Sequence, residues 1–195
     1  VAYETSGNIA VGDEEVVRFM HFINGFNQLF ENSEDKVISD KYAEIKQFFS
    51  TKKEGDMDTR DILTIKGLIR RGEARTACTF NRIPLSRCHF LDLPFYETGK
   101  IEKNPISEAD VEIVLNLLRE VKPHQIYVAG DLADPHGTHR VCTDAVFAAI
   151  DEEKNAGAEW LNDCRIWMYR GAWAEWEIEN IEMAVPLSPE ELRAK

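Results

Sequence analysis

The stretch Gln125-Ile126-Tyr127-Val128-Ala129-Gly130, then the polar loop Asp131-Leu132-Ala133-Asp134-Pro135-His136-Gly137, then Thr138-His139-Arg140, reads as a strand running through a loop into a helix. β-Branched and aromatic residues fill the first part, and Gly and Pro punctuate the second. The periodicity predicts a helix over roughly 138–154 and a further strand from Cys164 to Tyr169. Upstream, Ser107 with Asp110 three residues on opens a helix bearing Val111, Val114, Leu115 and Leu118, and Pro123 stops it.

The same alternation extends to both ends. Cys88 to Leu93 reads as a short buried strand closed by Pro94. Before it, three helices are expected over roughly 14–31, 35–52 and 59–80. The first carries Val16, Met20, Ile23, Phe26 and Phe30 at spacings of three and four, and is read as one core-facing stripe. Val1 to Thr5 is an opening strand followed by the turn Ser6-Gly7-Asn8, and Trp176 to Val185 is a candidate last strand. Strands alternating with long helices imply right-handed βαβ units and a mainly parallel sheet, so the fold class is α/β.

Composition narrows the function classes. The chain has 195 residues, 44% hydrophobic, with 23 basic against 35 acidic side chains and a net charge of −12. That length suits a single domain with a real core. The acidic balance argues against nucleic acid as a partner, which needs a basic surface. No apolar stretch reaches the length of a membrane span, and a cytoplasmic location is expected. The four cysteines form no C-x-x-C pair, so reduced thiols are expected rather than a disulfide framework. Val1 enters a strand directly, and Ser188-Pro189-Glu190-Glu191 starts a helix one turn before the last residue. Residues 1–195 are therefore expected to be one domain cut from a longer polypeptide.

In a parallel sheet, ligands collect outside the carboxyl ends of the strands. His136 and His139, three residues apart at a helix start, can converge on one point and hold a metal, or simply face solvent. Asp92 near the end of an apolar strand is costly unless it binds something, either a sugar hydroxyl or a neighbouring turn. Arg70, Arg71 and Arg75 put three cations on one helix, the pattern of a solvated face. Trp173 and Trp176 fall in a turn where they could be exposed.

Taken in order, Thr5-Ser6-Gly7, Arg70-x-x-Glu73-Ala74, Phe90-Leu91-Asp92-Leu93-Pro94 and Asp134-Pro135-His136-Gly137-Thr138-His139-Arg140 resemble the LmbE-like (PIG-L) family of zinc-dependent N-acetylglucosaminyl de-N-acetylases. The likeness is greatest to the C-terminal module of bacterial proteins whose N-terminal half is similar to glucosamine-6-phosphate deaminase. It implies a Rossmann-like sheet with flanking helices and zinc at the strand ends. It also implies that His139 is a zinc ligand and that His136 polarises the scissile amide or stabilises its oxyanion. Asp92 and Arg70 would contact the sugar, with Arg71 taking that place if the helix register is shifted. The family's first motif, A-H-P-D-D, supplies two zinc ligands and the general base, and would precede Val1. Gly137-Thr138 stands where the family usually has Pro-Asp.

The resemblance therefore implies a carbohydrate de-N-acetylase, a C–N amide hydrolase, with an amino sugar as its small-molecule partner. The 195 residues alone are expected to bind metal weakly and to be inactive. The alternative is a non-catalytic sugar-binding or regulatory module attached to a deaminase-like domain. A homo-oligomer is compatible with either. A deaminase activity of the chain itself ranks lower, because no strand is followed by a phosphate-cradling glycine loop.

Overall fold

The computed structural model describes residues 1–30, 36–100, 102–130, 133–170 and 175–194. Its elements are β1 (Ala2–Tyr3), α1 (Asp13–Phe30), α2 (Val37–Thr51), α3 (Arg60–Phe80), β2 (His89–Phe90), α4 (Glu108–Val121), β3 (Gln125–Ala129), α5 (Thr138–Asn155), β4 (Arg165–Tyr169) and α6 (Pro189–Ala194). The α/β reading holds, and every strand pair is parallel. β1 pairs with β2, with Ala2 opposite His89, and β3 pairs with β4, with Gln125 opposite Arg165. The two pairs are separate two-stranded sheets rather than one continuous sheet.

Two apolar clusters support these pairs. In the first, Val111, Val114, Leu115 and Leu118 of α4 pack with Ala145, Val146 and Ala149 of α5, over Val128 of β3 and the buried Leu93 and Phe95 that follow β2. The predicted Ser107–Asp110 start of α4 does more than cap the helix. Asp110 is fully buried and accepts from the backbone N–H of Ser107, its hydroxyl, and the N–H of Phe95. One carboxylate thus fixes both the start of α4 and the loop after β2. In the second cluster, Val16 and Met20 of α1 meet Ile45 of α2 and Ile62 and Ile69 of α3.

Three expectations change. The strand expected over Cys88–Leu93 shrinks to two residues, because Asp92 takes φ +48° and turns the chain out of extended geometry. The strand expected over Trp176–Val185 is instead a 3₁₀ turn at Ile178–Asn180 with exposed flanks. The Tyr169 carbonyl faces β3, and the outward Met168 carbonyl accepts from the Trp176 indole N–H, so a side chain occupies the edge that a strand would need. Finally, α1 buries Val16 and Met20 but leaves Ile23, Phe26 and Phe30 exposed, because these lie outside the cluster that α1 forms with α2 and α3. The reading for Trp173 lies outside the described residues. All four cysteines are free, with Cys78 buried and the others half-buried. Among the described residues no helix is long and apolar enough to cross a membrane.

Candidate active site at the strand ends

Glu4, next after β1, forms a hydrogen bond with Cys142 in the first turns of α5, and its charge acts on Tyr169, the last residue of β4. The carboxyl ends of both strand pairs therefore share one side of the molecule, where open α/β sheets bind ligands. Burial pushes the Glu4 carboxyl up to about 6, against a smaller lowering by the Cys142 hydrogen bond. Burial, and then the Glu4 charge, hold the Cys142 thiol well above its usual range. Glu4 was not among the residues expected from sequence; its signal was an acidic side chain inside an apolar opening strand.

The loop between β3 and α5 is fixed at both ends. Gly137 sits at φ +67° just before α5, a left-handed turn with no atom near the position of an added Cβ. The Thr143 hydroxyl donates to the Ala129 carbonyl at 2.7 Å and ties α5 to the end of β3. Asp134 accepts from the His139 backbone N–H at 3.2 Å, which sets the first turn of the helix. His136 is exposed and His139 is half-buried. The His139 Nδ1 and the second oxygen of Asp134 are buried without a hydrogen-bond partner among the described residues. Buried polar atoms of this kind normally carry a partner, so their orphaning at a strand-end loop is consistent with a ligand site.

Across the site, the Arg71 guanidinium donates to one oxygen of Asp92 and lies over the Phe90 ring at 5.1 Å. The second Asp92 oxygen is also buried and unpartnered. Arg70 turns to Glu73 on the same helix instead. The flank of Arg70 packs against Gly7, which holds φ +65°, within about 3.2 Å of where a Cβ would stand. The turn Ser6-Gly7-Asn8 is tied to Glu97, which accepts from the Ser6 N–H and the Asn8 amide. Of the sequence-predicted residues, Asp92 and His139 thus share the strand-end side, His136 stands exposed at the loop, and Arg70 has its charge engaged away from Asp92. Among the described residues no group of three His, Cys, Asp or Glu side chains is placed to hold a metal ion. The arrangement can accept hydrogen bonds through Asp92, Asp134 and Glu4, and can offer imidazole nitrogen at His139.

The sequence pattern of the family described as GlcNAc-PI de-N-acetylase, PIG-L, matches residues 37–150, a span that includes Arg70, Arg71, Asp92, His136 and His139. A protein of Bacteroides thetaiotaomicron named as glucosamine-6-phosphate deaminase-like is 86% identical over 195 residues. The match takes in 100% of this chain but only 29% of that relative. No solved structure matches the chain.

Proposed function

The chain belongs to the PIG-L family, and from that premise we propose that it is a de-N-acetylase-like domain whose ligand is an N-acetylglucosamine-type amino sugar. The observation that carries this reading is the set of buried, unpartnered polar atoms on Asp92, Asp134 and His139 at the strand ends. Asp92, oriented by Arg71, would take sugar hydroxyls. His139 would offer its imidazole as a ligand, and His136 would serve as the donor beside the amide.

The family is generally zinc-dependent, and the described residues do not by themselves fit a zinc centre, because His139 has no companion ligands placed with it. A complete centre needs ligands besides His139, from outside the described residues. That is in keeping with this stretch being one module of a longer protein, since it matches only 29% of the relative.

A second reading is a sugar-binding module that regulates an attached deaminase-like domain; it is favoured by the lack of a three-ligand cluster among the described residues. Zinc content and acetate release from N-acetylglucosamine, measured on the full-length polypeptide, separate the two. Hydrolysis predicts bound zinc and released acetate, both lost in His139→Ala. Sugar binding by the zinc-loaded protein without acetate release would leave the regulatory module. An unchanged zinc content in His139→Ala would remove the ligand role given to that residue.

A further inference from the structure

Helix α1 is apolar on two faces. Val16 and Met20, at 0% and 5% exposure, point into the cluster with Ile45, Ile62 and Ile69. A second stripe at three- and four-residue spacing, Phe19, Phe22, Phe26, Leu29 and Phe30, points away from it, and Leu29 and Phe30 are 80% and 72% exposed. Phe22, Phe26 and Phe30 form a ring ladder along the helix, with centroids 6.1 and 4.6 Å apart. Residues 19–30 contain no Asp, Glu, Lys or Arg, in a chain that is 30% charged. A contiguous exposed stripe of large apolar side chains normally marks a surface that another element or partner covers. Beside the ladder lies a groove of about 1330 Å³ between α1 and α3, walled by Phe19, Leu68 and Phe80, with Leu187 and Leu192 seated at its rim.

We propose that this α1–α3 face is the docking surface for the remainder of the same polypeptide in the longer protein, independently of the hydrolase reading. The relative that matches at 86% identity devotes only 29% of its length to this stretch, so most of its chain lies outside and has to pack somewhere. The exposed stripe of α1, like Leu187 and Leu192, falls outside the family match at 37–150, whereas the α3 wall of the groove lies inside it. A membrane surface is the poorer occupant. Interfacial helices are rich in Lys and Arg on their polar face, whereas α1 has only Arg18 against Asp13, Glu14 and Glu15, and the chain bears a net charge of −12.

The test places the photo-crosslinking residue p-benzoylphenylalanine at position 26 of the full-length polypeptide, where the side chain is exposed in this domain. The expected product keeps the mass of one chain, with the crosslink mapped to residues outside this stretch. Hydroxyl-radical footprinting of the unsubstituted full-length protein should show Phe22, Leu29 and Phe30 losing their labelling at every protein concentration. Crosslinks between two chains, with protection that appears only as concentration rises, would assign the face to a second copy. Full labelling with no crosslink would leave the face open to solvent. Either of those results overturns the proposal.

Discussion

Arg71, and not Arg70, meets Asp92: its guanidinium donates to the carboxylate while its plane lies over Phe90, and Arg70 pairs with Glu73. Consecutive helical residues point about 100° apart, so a one-residue change decides which cation faces the strand ends. Charge-assisted hydrogen bonds are worth about 1.5–3 kcal/mol. Calorimetry on the full-length polypeptide should find amino-sugar affinity lower by about 10–100-fold in Arg71→Ala and by less than about threefold in Arg70→Ala. Equal losses in the two variants would return the sugar contact to Arg70.

Glu4 gives the domain a pH signature. Its folded pKa of about 6 lies above the ordinary 4.5, so the folded state holds the proton more tightly than the unfolded one. The stability this supplies is present below about 4.5 and lost as pH rises through 6, amounting to about 2 kcal/mol at most for a shift of this size. Glu4→Gln keeps a hydrogen-bonding group without the charge. It should therefore raise stability at pH 7.5 by up to about 2 kcal/mol and leave it nearly unchanged at pH 4. Urea midpoints at the two pH values check this, and an equal change at both would show that the carboxyl does not titrate as described.

Much of this architecture was legible in the sequence where local chemistry and burial agree. α4 was readable from Ser107, Asp110 and four apolar residues at helical spacing, and all four are buried. α5 and the parallel β3 and β4 followed from a clean change of period at Gly137. The miss on α1 has a plain cause: periodicity reports an apolar face but not what covers it. Val16 and Phe26 sit on α1 with the same kind of spacing, yet α2 and α3 cover only the first. At the candidate site, H-x-x-H singled out His139 as a candidate, but no local pattern foretold that Glu4 would bury its carboxyl against Cys142, a contact between residues far apart in sequence. Which of two adjacent arginines faces Asp92 was likewise left to helix phase.

Four charges lock the helical layer. Lys66, with 5% of its side chain exposed, donates to Asp13 and Asp58 at 2.7 and 2.6 Å, and Lys52 donates to the other oxygen of each. Burial raises the Asp13 pKa, but the hydrogen bonds from Lys52 and Lys66 outweigh it and leave the carboxyl below its usual range. This also explains why α3 is capped by Thr59 rather than by Asp58, whose oxygens are committed to the lysines. Breaking a buried pair from one side leaves charge uncompensated, so Lys66→Ala should cost about 3 kcal/mol near neutral pH. Since the depressed carboxyl loses its contribution as pH falls through its folded pKa, the gap between wild type and variant should narrow in acid. Urea denaturation at pH 7 and pH 3 reads both effects, and a cost below about 1 kcal/mol at pH 7 would show the ring to be solvated.

Gly130 ends β3 where the strand meets the site, and the reason is space rather than backbone conformation. An added Cβ would stand 2.8 Å from the Trp176 ring, 3.0 Å from the Met168 Cβ and 3.3 Å from the Tyr169 carbonyl oxygen. The indole cannot simply swing aside, because its N–H donates to the Met168 carbonyl and Arg170 lies 3.8 Å over its ring. Overpacking of this kind costs about 1–3 kcal/mol, so Gly130→Ala should destabilise by that amount and shift Trp fluorescence to longer wavelength as the ring is expelled. Gly72 provides the contrast: it lies inside α3 with no neighbour near its Cβ position, so Gly72→Ala should stabilise by up to about 1 kcal/mol through helix propensity alone. Opposite signs for the same added methyl would attribute the Gly130 effect to the Trp176 contact, whereas a harmless Gly130→Ala would mean that the indole does not hold the edge of β4.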